Sequence, residues 1–189
     1  MGTKFRLIIF CLLPILLSSC GTSPSQDDNL RHTMVSESDH KKTNSEANEN
    51  YASRLASNIS TGEKTIVVDP NVHAWGAYNA QGKLIRAGLA TAGSDYCPDV
   101  KRACRTGSGS FRIQSLGKAS CKSSIYPLPK GGAPMPYCMF FNGNQGLHGS
   151  YEVVEGNVSH GCVRVDVVDA EWLRFNFADI GTKVIVRPY

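Results

Sequence analysis

The longest apolar run in this sequence, Leu7 to Leu17, has eleven residues and is broken by Pro14. It is too short to cross a bilayer, which takes about 20 residues as a helix. Nucleotide and calcium signatures are missing: there is no phosphate loop, no Walker motif and no carboxylate cluster with calcium spacing. No C-x-x-C or H-x-x-x-H spacing is present, so no metal site is expected, and nothing implies a cofactor. Charge of one sign is also scarce, with 20 Lys and Arg against 16 Asp and Glu. So small an excess excludes the dense basic face that nucleic acid requires. Between Gly21 and Ser60 large apolar residues are nearly lacking. That stretch cannot bury enough surface to offset its ordering entropy. Internal repeats are lacking as well.

What is present begins with Lys4 and Arg6 ahead of the apolar run, the layout of an export signal over residues 1–19. The run ends in Leu17-Ser18-Ser19-Cys20-Gly21, which resembles a bacterial lipobox with cleavage before Cys20 and acylation of its thiol. Attachment to a membrane through lipid on Cys20 is therefore expected. Gly21 stands where aspartate would retain such a chain, which points to the periplasmic face of an outer membrane. Residues 20–60 read as a mostly disordered tether with a reach of roughly 35 Å. Within it Tyr51, Leu55 and Ile59 fall at i, i+4 and i+8, a spacing that permits a short helix leading into the domain.

Residues 61–189 suffice for one hydrophobic core. Thr65-Ile66-Val67-Val68 is a β-branched run stopped by Asp69-Pro70-Asn71. Ala74 to Tyr78 and Lys83 to Ala90 flank Asn79-Ala80-Gln81-Gly82, a hairpin turn by composition. Further strands are expected at 109–114, 137–142, 146–148 and 183–186. One helix is expected, with Asp166 as N-cap and Val167, Ala170, Leu173 and Phe177 on one face, ending before Gly181. Many short strands and a single helix predict an all-β sandwich or barrel-like domain. Its 14 basic and 10 acidic residues from position 61 onward suit a carboxylate-bearing partner.

The cysteines constrain the chemistry. Removal of Cys11 with the signal and acylation of Cys20 leave Cys97, Cys104, Cys121, Cys138 and Cys162, an odd set. Four cysteines allow three pairings. Cys97 with Cys104 and Cys121 with Cys138 is favoured because each closes a short local loop, and Cys162 is then the free thiol. It stands in Ser159-His160-Gly161-Cys162-Val163-Arg164, fourteen residues after His148-Gly149-Ser150. A free thiol beside histidines suits nucleophilic catalysis, because a neighbouring imidazole can take its proton. His148 and His160 are both candidates for that base. Gly149 and Gly161 would let backbone amides approach a reacting carbonyl and form an oxyanion hole. Ser150 more often caps backbone than orients a histidine, His73 reads as a packed or surface histidine on a strand, Trp172 as a core residue of the helix and Tyr137 as a strand residue near the cleft, and His32 and His40 fall in the tether.

At these residues the chain resembles the YkuD-type L,D-transpeptidase catalytic domain, a family of peptidoglycan cross-linking enzymes. Its signature is a His-Gly pair, a variable gap, then [Ser/Thr]-His-Gly-Cys, an aliphatic residue, and Arg or Asn. His148, Gly149, Ser159, His160, Gly161, Cys162, Val163 and Arg164 match it in turn. Thr106-Gly107-Ser108-Gly109-Ser110-Phe111, Asp169-Ala170-Glu171-Trp172-Leu173 and Gly181-Thr182-Lys183-Val184-Ile185-Val186 resemble the family's other conserved segments. Gly107 replaces the usual proline, and the gap from His148 to Cys162 is short. The four-cysteine pattern and residues 131–141 also resemble a lipoprotein subgroup of intracellular bacterial pathogens.

The resemblance implies a YkuD-type β-sandwich with one short helix after the nucleophile loop. It implies that Cys162 attacks a peptidoglycan stem peptide with His148 as base. His160 would shape the site, the Gly161 and Cys162 amides would hold the oxyanion, and Arg164, Gly149 and Ser159 would meet substrate. A structural arginine tied to Asp166 or Asp169 is the other reading of Arg164. A monomer is expected. Transfer to an amine gives cross-linking and transfer to water gives a carboxypeptidase or hydrolase. A non-enzymatic lipoprotein that binds peptidoglycan or a host factor is the third possibility.

Overall fold

The β-branched run at 65–68 becomes the buried centre of a sheet. A computed structural model describes residues 50–189; the expected signal, Cys20 and the tether up to residue 49 lie outside the described residues. Strand β1 (Thr65–Asp69) pairs antiparallel with β2 (Ala74–Tyr78), Val67 opposite Gly76, and parallel with β9 (Lys183–Val186), Val67 opposite Ile185. β3 (Leu84–Leu89) extends the sheet beyond β2, and β4 (Gly109–Arg112) extends it beyond β9, giving the order β3-β2-β1-β9-β4. The second sheet runs β5-β6-β7-β8, built from Ser115–Leu116, Met139–Asn142, Gln145–Gly149 and Val163–Val165.

Alternation along these strands decides what meets inside. Ile66, Val68, Trp75 and Ala77 from the first sheet pack with Met139, Phe141, Leu147, Val163 and Val165 from the second. The helix Val167–Trp172 closes this core with Ala170. Asp166 caps it as expected, its carboxylate accepting the Val168 N–H at 2.9 Å. The expected continuation to Phe177 is not α-helical: Leu173–Phe177 winds as a π-turn. The wider turn keeps Leu173, Phe177 and Ala178 buried while Phe175 faces solvent. The all-β fold with two packed sheets and one short helix is the one the sequence predicts.

β2 is buried on its other face too. Tyr51, Ala52 and Leu55 pack there on Ala74, Ala87 and Leu84, and the Tyr78 hydroxyl donates to the Ala56 carbonyl at 2.8 Å. Residues 50–53 form a helical turn. Packing therefore begins about ten residues before position 61. The Asn79–Gly82 turn holds this segment, because the Ile59 N–H donates to the Gly82 carbonyl at 2.8 Å. A Cβ on Gly82 would lie 1.8 Å from the Ile59 carbonyl oxygen, and its φ is +81°. Only glycine fits there.

Candidate active site

Parallel pairing of β7 with β8 brings the two motif halves together. Leu147 lies opposite Val163, His148 opposite Arg164 and Gly149 opposite Val165. Cys162 directly precedes β8. Register partners share a face and residues two apart point the same way, so His148, Arg164 and Cys162 project from one side. His148 stands one diagonal step from Cys162.

His148 is 6% exposed, and its Nδ1 lies 2.9 Å from the Gly149 carbonyl. A carbonyl only accepts, so Nδ1 carries the proton and Nε2 is left with a free lone pair. Burial, with the nearby Arg164 charge, holds the imidazole below its usual pKa range against the opposing pull of the Gly149 carbonyl. Cys162 is half-buried and, among the described residues, is the free cysteine. Cys97 is joined to Cys104, and Cys121 to Cys138. Burial pushes the Cys162 thiol up, while a hydrogen bond from the Gly146 amide and the Arg164 charge pull it down. Its Sγ lies 3.5 Å from the Asn144 carbonyl. Both shifts favour the uncharged form of their group, the thiol of Cys162 and the neutral imidazole of His148.

The segment 159–162 is held by hydroxyls. Ser159, 2% exposed, accepts the Gly161 N–H at 3.1 Å and donates to the Cys162 carbonyl. This corrects two expectations. Ser159 braces the loop and has no surface to offer substrate, and the Gly161 N–H, already bonded, is not available to an oxyanion. Its neighbour, the Cys162 N–H, has no partner among the described residues. Thr106 fixes where that amide points. Its hydroxyl accepts the Gly93 N–H at 3.0 Å and donates to the Gly161 carbonyl at 2.9 Å. In a trans peptide the carbonyl and the following N–H point oppositely. Anchoring Gly161 C=O on Thr106 therefore aims the Cys162 N–H away from it. Tyr189 completes the network, accepting from the Thr106 N–H at 2.8 Å and donating to the Gly93 carbonyl at 2.7 Å. Gly161 itself has φ +120°, which a side chain would strain.

Thr106 is 1% exposed, so valine at this position would leave a buried N–H and a buried carbonyl unpaired. Thr106→Val should lower stability by about 2 kcal/mol in urea unfolding, and Thr106→Ser should recover most of it. A valine variant as stable as the parent would remove the network from the account.

Gly149 is also corrected. It is buried, its N–H donates to the Pro136 carbonyl at 2.8 Å, and a Cβ there would meet the Val167 Cα at 3.0 Å. It is a packing position. Arg164 bonds to neither expected carboxylate: Asp166 caps the helix, and Asp169 takes Arg86 at 2.7 and 3.0 Å. Its partner is the exposed Glu152, at 3.5 Å. The Nε2 of His160 is committed to the Asp99 carboxylate, at 2.8 and 3.0 Å, and its ring lies 4.3 Å from that of Tyr126. The His160 Nε2 is thus occupied, whereas among the described residues the hydrogen bond of His148 is made through Nδ1 alone. The Cys97 sulfur lies within 4.8 Å of the same Asp99 and His160 atoms, but its disulfide removes it as a metal ligand.

Ser150 accepts the Glu152 N–H at 3.0 Å, a backbone cap. His73 lies in the turn before β2 with φ +51°, and the Trp172 ring carries the Arg86 guanidinium at 4.8 Å. Tyr137 has φ +58° and precedes β6, its hydroxyl 2.8 Å from Glu171. The sequence reading did not single out Asp99, Gln145 or Tyr189. Gln145 accepts the Gly107 N–H at 2.9 Å and donates to the Arg105 carbonyl at 3.0 Å. None of the three falls in a motif that marks it.

The family model for the L,D-transpeptidase catalytic domain, YkuD, matches residues 63–186. The fold is similar to the L,D-transpeptidase (residues 123–326) from Xylanimonas cellulosilytica, at 22% identity and a TM-score of 0.59, over 70% of this chain and 64% of that one. It is also similar to L,D-transpeptidase 3 from Mycobacterium tuberculosis in complex with a faropenem-derived adduct, at 22% identity and 0.54, over 66% and 60%. An L,D-transpeptidase from Mycobacterium smegmatis matches at 21% and 0.55, over 67% and 59%. The chain thus spans about three-fifths of the length of these proteins. Among curated proteins no match is found.

Proposed function

Because this chain belongs to the YkuD family of L,D-transpeptidase catalytic domains, we propose that it cross-links or remodels peptidoglycan by cysteine acyl transfer. The observation that carries this reading is the free Cys162 one diagonal step from a buried His148 whose Nε2 is open.

Cys162 Sγ attacks the carbonyl carbon of the third stem-peptide residue, a diamino acid, as His148 Nε2 takes the thiol proton. The Cys162 N–H meets the oxyanion. The bond to the terminal D-alanine breaks, its amine leaves with the proton from His148, and a thioester remains. An amine of a second stem then attacks, its proton passes through His148 to sulfur, and the cross-link is released. Water in place of that amine makes the protein a carboxypeptidase. Arg164, only loosely paired to the exposed Glu152, can exchange that partner for a peptide carboxylate. The Cys20 anchor and the tether would place this domain in the envelope of a bacterium, facing the wall.

Incubation with disaccharide tetrapeptides and mass analysis of the products tests the reading. Dimers carry transpeptidation, tripeptide alone carries hydrolysis, and unchanged tetrapeptide turns the case toward a binding protein.

The pH dependence has a definite sign. His148 must be neutral to accept a proton, and burial places its pKa below the ordinary 6.5. Formation of the acyl-enzyme should hold level through neutrality and fall only as pH drops through that depressed value. Adduct formation with a carbapenem, followed by mass spectrometry between pH 4.5 and 8, checks it. A fall centred above 6.5 would contradict the neutral pair.

A further inference from the structure

His160 is two residues before the nucleophile, yet the proposed chemistry gives its ring no proton to carry. The surroundings of that ring are built from two loops that belong to neither sheet. One is closed by Cys97–Cys104 and supplies Asp99, whose two carboxylate oxygens lie 3.0 and 2.8 Å from His160 Nε2. The other is closed by Cys121–Cys138 and supplies Tyr126, whose ring lies 4.3 Å from the imidazole. Arg102 of the first loop reaches the Tyr126 hydroxyl at 3.3 Å and ties the two together. The first loop is also docked on the nucleophile segment itself. The Ser94 N–H donates to the Ser159 carbonyl at 2.9 Å, and the Cys97 Sγ lies 3.9 Å from that same oxygen.

From this we infer that Asp99 is a positioning residue for the nucleophile. The disulfide-closed loop 97–104 delivers it, and it acts through His160. The physical need lies at Gly161. A glycine at φ +120° has wide torsional freedom, and it is the one link between His160 and Cys162. Thr106 and Ser159 fix the far side of that link, and the Asp99 clamp fixes the near side. A charge-assisted hydrogen bond with two acceptor oxygens sets both the position and the tautomer of the imidazole. The disulfide limits the conformations from which Asp99 must be drawn. Activity should then depend on oxidation of a loop that contains no reacting atom.

This rests on the acyl-transfer reading, so the experiment has one arm that needs no catalysis. In the full chain, Asp99→Ala, Asp99→Asn and the double variant Cys97→Ser/Cys104→Ser are compared for acylation by a carbapenem, resolved into limiting rate and half-saturating concentration. Asp99→Ala should lower the limiting rate about tenfold, the scale of a misplaced reacting group, and shift half-saturation less than twofold. Asp99→Asn should recover most of the rate, since its amide oxygen still accepts the Nε2 proton. The cysteine pair should behave like Asp99→Ala, and joining all three changes should add nothing further. A parental limiting rate in Asp99→Ala, an asparagine variant as slow as alanine, or losses that multiply would each overturn the inference. In parallel, imidazole nitrogen NMR should show His160 protonated at Nε2 in the parent and altered in Asp99→Ala. If the parent takes no adduct, acyl transfer fails while the NMR arm still decides whether Asp99 holds His160; unchanged nitrogen signals in Asp99→Ala reject it.

Discussion

Cys162→Ala leaves the protein without a mass increase under a carbapenem that adds one drug mass to the parent. Among the described residues the other four cysteines are closed in disulfides, so one thiol is available to open the lactam. The substitution removes the sulfur and little else. Cys162 is half-buried at a loop end, its Sγ contacts are to the Asn144 carbonyl and the Gly146 amide, and both β7–β8 pairing and the Ser159 brace use backbone. Folding should therefore be intact, and circular dichroism with the parental unfolding midpoint will show it. Product formation from tetrapeptides should vanish in the same variant, since among the described residues Cys162 is the free thiol. An adduct that persists on Cys162→Ala would move the nucleophile elsewhere. A parent with a demonstrably free thiol and no adduct would remove the enzyme.

His148→Ala slows adduct formation at pH 7 by about a thousandfold, within the range of a lost general base. The thiol it leaves behind is pushed up by burial, so thiolate is rare at neutrality without a proton acceptor beside it. The loss should shrink as pH rises above 9, because hydroxide then does what the imidazole did. His148→Gln separates chemistry from packing: it fills the buried site and cannot shuttle a proton, and it should be as slow as alanine. A glutamine variant near the parental rate would hand the role of base to another group. His160→Ala provides the contrast, since that ring is held by Asp99 and its loss should cost only positioning.

How much of this was legible in the sequence depends on the range of the interaction. β1, β2 and the hairpin into β3 follow from β-branched runs and a turn whose Gly82 has no substitute. The helix start follows from Asp166 and the spacing of Ala170 and Leu173. The motif halves flag His148 and Cys162, and the β7–β8 register sets His148 opposite Arg164, two residues from Cys162. β5, with two residues, and β8, with three, are too short to carry a period. The Asp99–His160 bond spans 61 positions, Thr106–Gly161 55 and Tyr189–Gly93 96, and no local pattern announces such partners. Gly161 shows the limit most clearly. Its composition says that the backbone is free to turn, and only the fold reveals that its N–H already has the Ser159 hydroxyl.

The place of β9 has a consequence for how the chain matures. It lies between β1 and β4, so the central sheet joins Thr65–Val68 to Lys183–Val186 across most of the domain's length. Contacts of such separation form late, after the intervening chain has been confined. A chain that enters the envelope with β1 first must wait for β9 before this sheet closes. Until then the Cys97–Cys104 and Cys121–Cys138 pairs, local in sequence, can join without a finished fold around them. In that oxidising compartment the order of events is then staples first and sheet last, and an exported chain truncated before residue 183 should remain open to proteases.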